Sequence, residues 1–202
     1  MREAKIKLSE DEFLLVQNAG VILTKNAIIQ KVISLFSLVA EDMKTELERT
    51  QLPPAIKITT PKISKGENYK GLPYVMLDYP RVFSREDIFA VRTMFWWGNY
   101  FIITLHLKGE YQKMFSGSIK RNLFYLAERN FSICISSDQW QHELEGDNYI
   151  SLSCITENQL DDIIKKKQFL KLSAKAGFAQ WDDTAIILIG LYNDILQSLK
   201  AY

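Results

Sequence analysis

Residues 88–107 constrain the fold more than any other stretch of the chain, because they have the pattern of a β-hairpin. The dipeptide Gly98-Asn99 separates two runs rich in β-branched and aromatic residues, and both of its residues tolerate the positive φ of a tight hairpin turn. A two-residue turn places Thr93 directly opposite Thr104. Directly opposed residues share a face of the sheet, so the sequence predicts one face that carries both threonines.

The preceding residues 72–83 predict a third strand, joined to the hairpin by a four-residue loop at residues 84–87. This loop length places Asp78 opposite Thr93, in a row with Thr104. His106 then lies one pleat away on the same face. A register slip of one residue would move Asp78 to the other face, because side chains alternate between faces along a strand.

These residues form the candidate ligand-binding site, which we call the threonine face: Asp78, Thr93, Thr104, His106 and Tyr100. Ligand pockets are mostly apolar and carry a few convergent polar groups, which is the composition of this face. The opposite face carries Arg92, the only charged residue of the hairpin before Lys108. A buried arginine needs an acidic partner or an anionic ligand, and we expect the acidic partner.

Helices are predicted before and after this meander in the sequence. A capping box at Ser9–Glu12 opens a short helix, and residues 24–49 carry apolar side chains at helical spacing. A second capping box at Thr156–Gln159 opens another helix, and the last helix covers residues 183–199. Residues 131–155 predict a second antiparallel meander, with a possible strand at residues 140–144. Residues 55–64 are predicted to be extended and residues 66–71 to form a loop.

The fold prediction is a single α+β domain over residues 1–202. Its curved antiparallel sheet would be built from two meanders, at about residues 72–107 and 131–155, with helices on at least one face. Hydrophobic residues make up 47% of the chain, enough for a substantial core. Cys134 and Cys154, the only cysteines, are predicted to be buried free thiols.

Composition and motifs exclude several classes of function. The chain has 25 Lys and Arg against 24 Asp and Glu, so nucleic acid is not an expected partner. It has no apolar run of about 20 residues and begins with charged residues, so we expect a cytoplasmic protein without a membrane span. No metal-binding, dinucleotide-binding or nucleophile motif is present, so no metal, cofactor or catalytic residue is assigned.

Three functions remain after these exclusions. The favoured one is a module that binds a small molecule on the threonine face. The first alternative is an interaction protein, such as a homodimer, whose contact is the aromatic hairpin tip at residues 96–100 or an apolar helix face. The second alternative is an enzyme that uses His106 and Asp78 as an acid–base pair.

Overall fold

Seven strands form one open antiparallel sheet in the computed structural model, which describes residues 6–200. The strands are β1 (Lys62–Tyr69), β2 (Leu72–Phe83), β3 (Ile88–Trp96), β4 (Tyr100–Lys108), β5 (Ser132–Cys134), β6 (Tyr149–Ser151) and β7 (Phe169–Ala176). Their order across the sheet is β1-β2-β3-β4-β7-β5-β6, and every neighbouring pair is antiparallel. The sheet therefore confirms the predicted α+β class.

The helices within residues 6–200 are α1 (Glu10–Gln17), α2 (Ala19–Glu48), α3 (Pro54–Lys57), α4 (Glu110–Arg121), α5 (Leu123–Glu128), α6 (Glu157–Lys166) and α7 (Thr184–Ser198). Both predicted capping boxes are present, at the starts of α1 and α6. Helix α2 begins earlier than predicted, because the Asn18 side chain accepts a hydrogen bond from the backbone N–H of Gly20 at 3.0 Å and caps it there.

The second meander is shorter than predicted. Only β5 and β6 pair within residues 131–155, and residues 140–144 are irregular instead of forming a strand. The predicted loop at residues 66–71 is also wrong, because β1 continues to Tyr69 and pairs with the start of β2. Cys134 and Cys154 are free as predicted, but Cys154 is exposed.

Helices cover one face of the sheet, which we call the helix-covered face. Its side chains include Leu77 of β2, Phe95 of β3, Leu105 of β4 and Leu172 of β7, all in the main hydrophobic core. Side chains of α2, α4 and α7 complete that core, among them Phe36, Phe115 and Tyr192. Burial of this apolar surface is the main force that holds the helices on the sheet.

The hairpin turn has three residues, not two, and this shifts the register of β3 against β4 by one. Trp96 pairs with Tyr100, and Gly98 adopts a positive φ of 74°, a conformation that glycine tolerates. Thr93 consequently pairs with Ile103 and lies on the helix-covered face. There it is fully buried, and its hydroxyl has no hydrogen-bond partner among residues 6–200.

A β-bulge shifts the register of β2 against β3 as well. The predicted loop places Phe83 opposite Ile88, and this pairing is confirmed. Farther along β2, Tyr79 and Pro80 lie between the pairs Arg81–Ala90 and Asp78–Arg92, where β3 supplies one residue only. A bulge suits Pro80, because proline has no backbone N–H to donate. Asp78 therefore faces Arg92 instead of Thr93.

Candidate functional site

The second face of the sheet carries a row of polar side chains, and we call it the polar face. Directly paired positions on successive strands are Lys62, Asp78, Arg92, Thr104 and Ser173. His106 and Lys171 pair with each other one pleat away from this row. Most of these side chains are buried, so they need partners within the protein or a ligand.

Four of the five predicted site residues share the polar face. Asp78, Thr104, His106 and Tyr100 lie there together, whereas Thr93 lies on the opposite face. Three of the four are fully engaged or buried away from open space. The Thr104 hydroxyl is 2.9 Å from the Ser173 hydroxyl, Tyr100 donates to Glu145 at 2.7 Å, and His106 is 4% exposed. Asp78 is the predicted residue that reaches a cleft.

Arg92 and Asp78 form a bidentate ion pair, which confirms the expected acidic partner of Arg92. Arg92 Nε donates to Asp78 Oδ1 at 2.6 Å, and an Arg92 terminal nitrogen donates to Asp78 Oδ2 at 3.0 Å. The guanidinium carbon is 5.8 Å from the centre of the Phe83 ring and 5.7 Å from that of Trp140. Two parallel hydrogen bonds and two aromatic rings fix the orientation of this cation.

An irregular stretch, residues 135–148, lies over much of the polar face, and we call it the cover segment. Side chains from the sheet hold its backbone. Tyr69 OH accepts a hydrogen bond from His142 N at 2.8 Å, and Tyr100 OH accepts one from Leu144 N at 2.9 Å. Lys171 Nζ donates to the carbonyl oxygens of Gln139 and Gln141. These side chains thus form hydrogen bonds with backbone groups of the cover segment that, in a strand or helix, would pair with other backbone groups.

Burial and nearby positive charge lower the pKa values of three basic side chains in or beneath the cover segment. Burial lowers the pKa of Lys171 to about 7, and the charge of Arg92 adds to this effect. Burial lowers the pKa of His106 to about 3, with further contributions from Lys171 and Arg92. Burial also holds the pKa of His142 well below its usual value. Both imidazoles are therefore neutral near pH 7.

The cover segment leaves part of the polar face open as a cleft of about 420 Å³. Asp78, Arg92, Phe83 and Trp140 line it, and the two aromatic side chains are about half exposed. Four further cations reach the same space, namely Lys62, Arg81, Arg85 and Lys108. The volume lies within the range of about 300–1,000 Å³ that is typical of ligand pockets.

Two of these cations are anchored by backbone carbonyl groups. Arg81 Nε donates to the Thr60 carbonyl at 2.9 Å, and Lys108 Nζ donates to the Arg85 carbonyl at 2.8 Å. A second cleft of about 530 Å³ shares Lys108 and Trp140 with the first and adds more lysines from the end of α6. The open part of the polar face is therefore a basic surface with aromatic edges.

The sequence analysis missed most of the residues that line this cleft. They come from β1, β2, the loop at residues 84–87, β3, β4 and the cover segment, so the observed register and the path of that segment together form the cleft. One signal was available in the sequence, because Arg92 stands alone among apolar neighbours. The wrong register assigned it to the face opposite Asp78.

Comparisons with protein-family models, with curated proteins and with solved structures find no match to this chain. Among residues 6–200, no group of three or more His, Cys, Asp or Glu side chains could hold a metal ion. Within the same residues, α2 is the one helix long and apolar enough to cross a bilayer by length and composition. One side of α2 packs into the core, with buried residues from Ile29 to Leu47. The function is therefore argued from the site itself.

Proposed function

We propose that the protein binds a small anionic molecule in the cleft beside Arg92. One observation carries this proposal: five cationic side chains line the cleft, against the single carboxylate of Asp78. That carboxylate is already engaged, since both of its oxygens accept hydrogen bonds from Arg92. The cleft therefore holds an excess of positive charge that an anion would neutralise.

The chemistry of the cations favours a carboxylate or phosphate group. Like charges held around one concave space repel each other, and low-dielectric walls strengthen the field that an entering anion experiences. Arginine presents a planar fork that matches two oxygens of a carboxylate or phosphate, and lysine adds a compact point charge. Asp78 holds the Arg92 side chain in place before binding, which reduces the entropy lost when a ligand binds.

The aromatic side chains indicate a ligand with an apolar or planar part. Phe83 is 40% exposed and Trp140 is 45% exposed, so both rings present apolar surface at the cleft. Both lie beside Arg92 at the cleft. A ring or short apolar chain that carries an acidic group could contact these rings while its anionic end meets the cations.

This proposal keeps the predicted class of function and changes the residues that would touch the ligand. Asp78 stays at the site, where it orients Arg92. Thr104, His106 and Tyr100 lie under the cover segment and support its position. A small ligand also agrees with the net charge of +1, since a nucleic-acid surface would need a larger basic excess. We keep the expectation of a cytoplasmic location without a membrane partner.

The acid–base alternative and an interaction through the hairpin tip gain no support from the geometry. An acid–base pair needs a carboxylate that orients the imidazole, but Asp78 pairs with Arg92, and His106 has a pKa of about 3. An interaction through the hairpin tip needs exposed aromatic rings, but Trp96 is 4% exposed and Tyr100 is 5% exposed.

The test is a thermal melt of the protein in sodium phosphate and in sodium chloride of equal ionic strength. A ligand at 100 times its dissociation constant adds about 2.7 kcal/mol to the free energy of unfolding, which is visible as a higher Tm. We expect phosphate to raise the Tm more than chloride does. The double substitution Lys62→Gln and Lys108→Gln should remove most of that difference.

Lys44→Gln is the matched control, because Lys44 lies on α2, where it pairs with Glu41, and does not line the cleft. Its melts should retain the full effect of phosphate. Equal phosphate effects in the control and in the cleft variant would contradict the proposal, and so would a wild-type protein that does not respond. Phenyl phosphate tests the aromatic part: it should stabilise the protein more than phosphate does, and Trp140→Ala should remove that advantage.

A further inference from the structure

The first part of the helical region is apolar and exposed. No side chain between residues 6 and 24 is buried, and the first buried residue of α2 is Ile29. We call residues 10–23, which comprise α1 and the first five residues of α2, the N-terminal arm. The base of the arm is held to the sheet, since Lys25 Nζ lies 2.6 Å from Glu67 Oε2 of β1.

The arm has apolar side chains on every side. Its seven large apolar residues are 44–70% exposed, and they are Phe13, Leu14, Leu15, Val16, Val21, Ile22 and Leu23. Successive residues of an α-helix point about 100° apart, so a run of four covers the whole circumference. A helix that rests on its own domain has one apolar stripe and a polar outer side. The arm therefore has the composition of a buried helix but an exposed position.

The exposed area is close to what one partner of a stable protein interface buries. At roughly 100 Å² for each half-exposed large side chain, the seven residues expose on the order of 700 Å², against about 800 Å² per partner in a standard interface. Monomeric proteins rarely expose apolar patches much larger than a few hundred Å². Two helices bury only the sides that face each other, so two packed arms would cover the part of this surface that faces the partner.

A lipid surface fits the arm less well than a second copy does. Helices that lie on membranes carry Lys or Arg on a polar side, whereas residues 10–23 contain Glu10, Asp11 and Glu12 and no basic residue. A membrane span needs about 20 apolar residues, but Gln17 and Asn18 interrupt the arm and α2 enters the core at Ile29.

The charges of the arm favour an antiparallel pair. Its acidic residues all lie in the first turn of α1, and Lys25 lies just beyond the opposite end. A parallel pair would bring six carboxylates together, which is unfavourable. An antiparallel pair separates the two acidic turns, one at each end of the pair. The same surface would then serve both copies, as in other two-fold symmetric dimers.

We propose that the N-terminal arm packs antiparallel against the arm of a second copy and makes the protein a homodimer. The test is sedimentation equilibrium of the full chain at concentrations from 1 to about 100 µM, the range over which weak and strong dimers are distinguished. We expect a mass of twice 23.4 kDa. The double substitution Leu14→Lys and Leu23→Lys should give a monomer with an unchanged circular dichroism spectrum, because both side chains are exposed in the single chain.

Phe124→Lys is the matched control, since Phe124 lies on α5 and is 73% exposed. This variant should remain a dimer. A wild-type monomer at 100 µM, or a dimer that persists in the double variant, would overturn the proposal. Sedimentation with vesicles of phosphatidylcholine and phosphatidylserine tests the lipid alternative, and arm-dependent binding of monomers to these vesicles would overturn it too.

Cross-linking tests the orientation in a Cys154→Ser background, which removes the exposed native thiol. Gln17→Cys lies near the centre of the arm, so a short bis-maleimide should link two copies there. In an antiparallel pair, Leu8→Cys would lie roughly 30 Å from its counterpart and should not be linked. Efficient linking at position 8 would overturn the antiparallel arrangement.

Discussion

Thr104 and Leu105 are neighbours on β4, yet the side chain of Thr104 lies among polar groups and that of Leu105 lies in the hydrophobic core. Leu105 packs among the aliphatic and aromatic side chains of the helix-covered face. The Thr104 hydroxyl meets the Ser173 hydroxyl at 2.9 Å on the polar face, in a row that also carries Asp78 and Arg92. The helix-covered face is closed by regular helices, and the polar face is closed by an irregular segment.

The two faces differ in how they contribute to stability. Apolar burial stabilises by about 25 cal/mol for each Å² removed from water. Hydrogen bonds contribute only about 1 kcal/mol each, and buried charges can cost more in lost hydration than their pairing returns. A chain selected for stability alone would have little reason to bury Lys171 and His106 beneath the cover segment and His142 within it. This contrast supports a functional role for the polar face.

The largest expected effect is a loss of stability when the core beneath the helices is disrupted. Phe36 is fully buried, and its ring centre lies 6.2 Å from that of Phe101. We expect Phe36→Ala to lower the free energy of unfolding by about 3–5 kcal/mol, because it leaves a cavity in a packed core. Urea unfolding followed by circular dichroism measures this. Phe124→Ala, at an exposed site, should change stability by less than about 0.5 kcal/mol. A loss below about 1 kcal/mol for Phe36→Ala would contradict this account.

The ion pair on the polar face should respond differently to single and double substitution. Asp78→Leu leaves the Arg92 charge without its partner, and we expect a loss of about 3 kcal/mol. Replacing both partners, with Asp78→Leu and Arg92→Met, should return the stability to within about 1 kcal/mol of the wild type. Urea unfolding of these two variants and of Arg92→Met alone completes the cycle. The double variant removes the guanidinium fork but keeps the excess of cations in the cleft, so phosphate should raise its Tm by less than it raises the Tm of the wild type.

His106, which lies beneath the cover segment, should make stability depend on pH. The pKa of His106 falls from 6.5 in the unfolded chain to about 3 in the folded one, so the unfolded chain alone binds the proton between these values. Stability is therefore fully present above pH 6.5 and decreases as the pH falls, by up to about 1.4 kcal/mol per pH unit for one histidine. Urea unfolding between pH 7 and 5 measures the slope. His106→Gln should reduce it, and an unchanged slope would refute this assignment.

The smallest expected effect concerns the cover segment. Tyr100→Phe removes a hydroxyl that binds both Leu144 N and Glu145, and we expect a loss of about 1 kcal/mol. The Leu144 amide should also exchange with deuterium faster than the amides of β4 do. Tyr74→Phe is the control, since no hydrogen bond of its hydroxyl is found in the described residues, and its effect should stay near zero. Equal effects of the two substitutions would argue against the role of Tyr100.

The sequence predicted the local elements better than the pairing between them. Capping boxes at Ser9 and Thr156 depend on three neighbouring residues, so they were identifiable. Two register errors of one residue each, at the bulge and at the hairpin turn, cancelled across β3. For this reason Asp78 and Thr104 were correctly placed on one face although both were paired with the wrong residue of β3.

The remaining features could not be predicted from local patterns. The path of residues 135–148 has no periodicity, because side chains of distant strands satisfy its backbone. The basic cleft depends on that path and on the register of four strands. The apolar residues of the N-terminal arm were visible in the sequence, but a buried helix has the same composition. Only the structure shows that they are exposed.

The bulge in β2 has a consequence for changes in chain length. Asp78 and Arg81 are three residues apart and would lie on opposite faces of a regular strand, yet both line the cleft. The bulge absorbs one residue, so a deletion at Tyr79 or Pro80 would leave Asp78 opposite Arg92 and Arg81 opposite Ala90. A deletion elsewhere in β2 would move every side chain on one side of the deletion to the opposite face of the sheet. We expect insertions and deletions in this strand to be tolerated at the bulge alone.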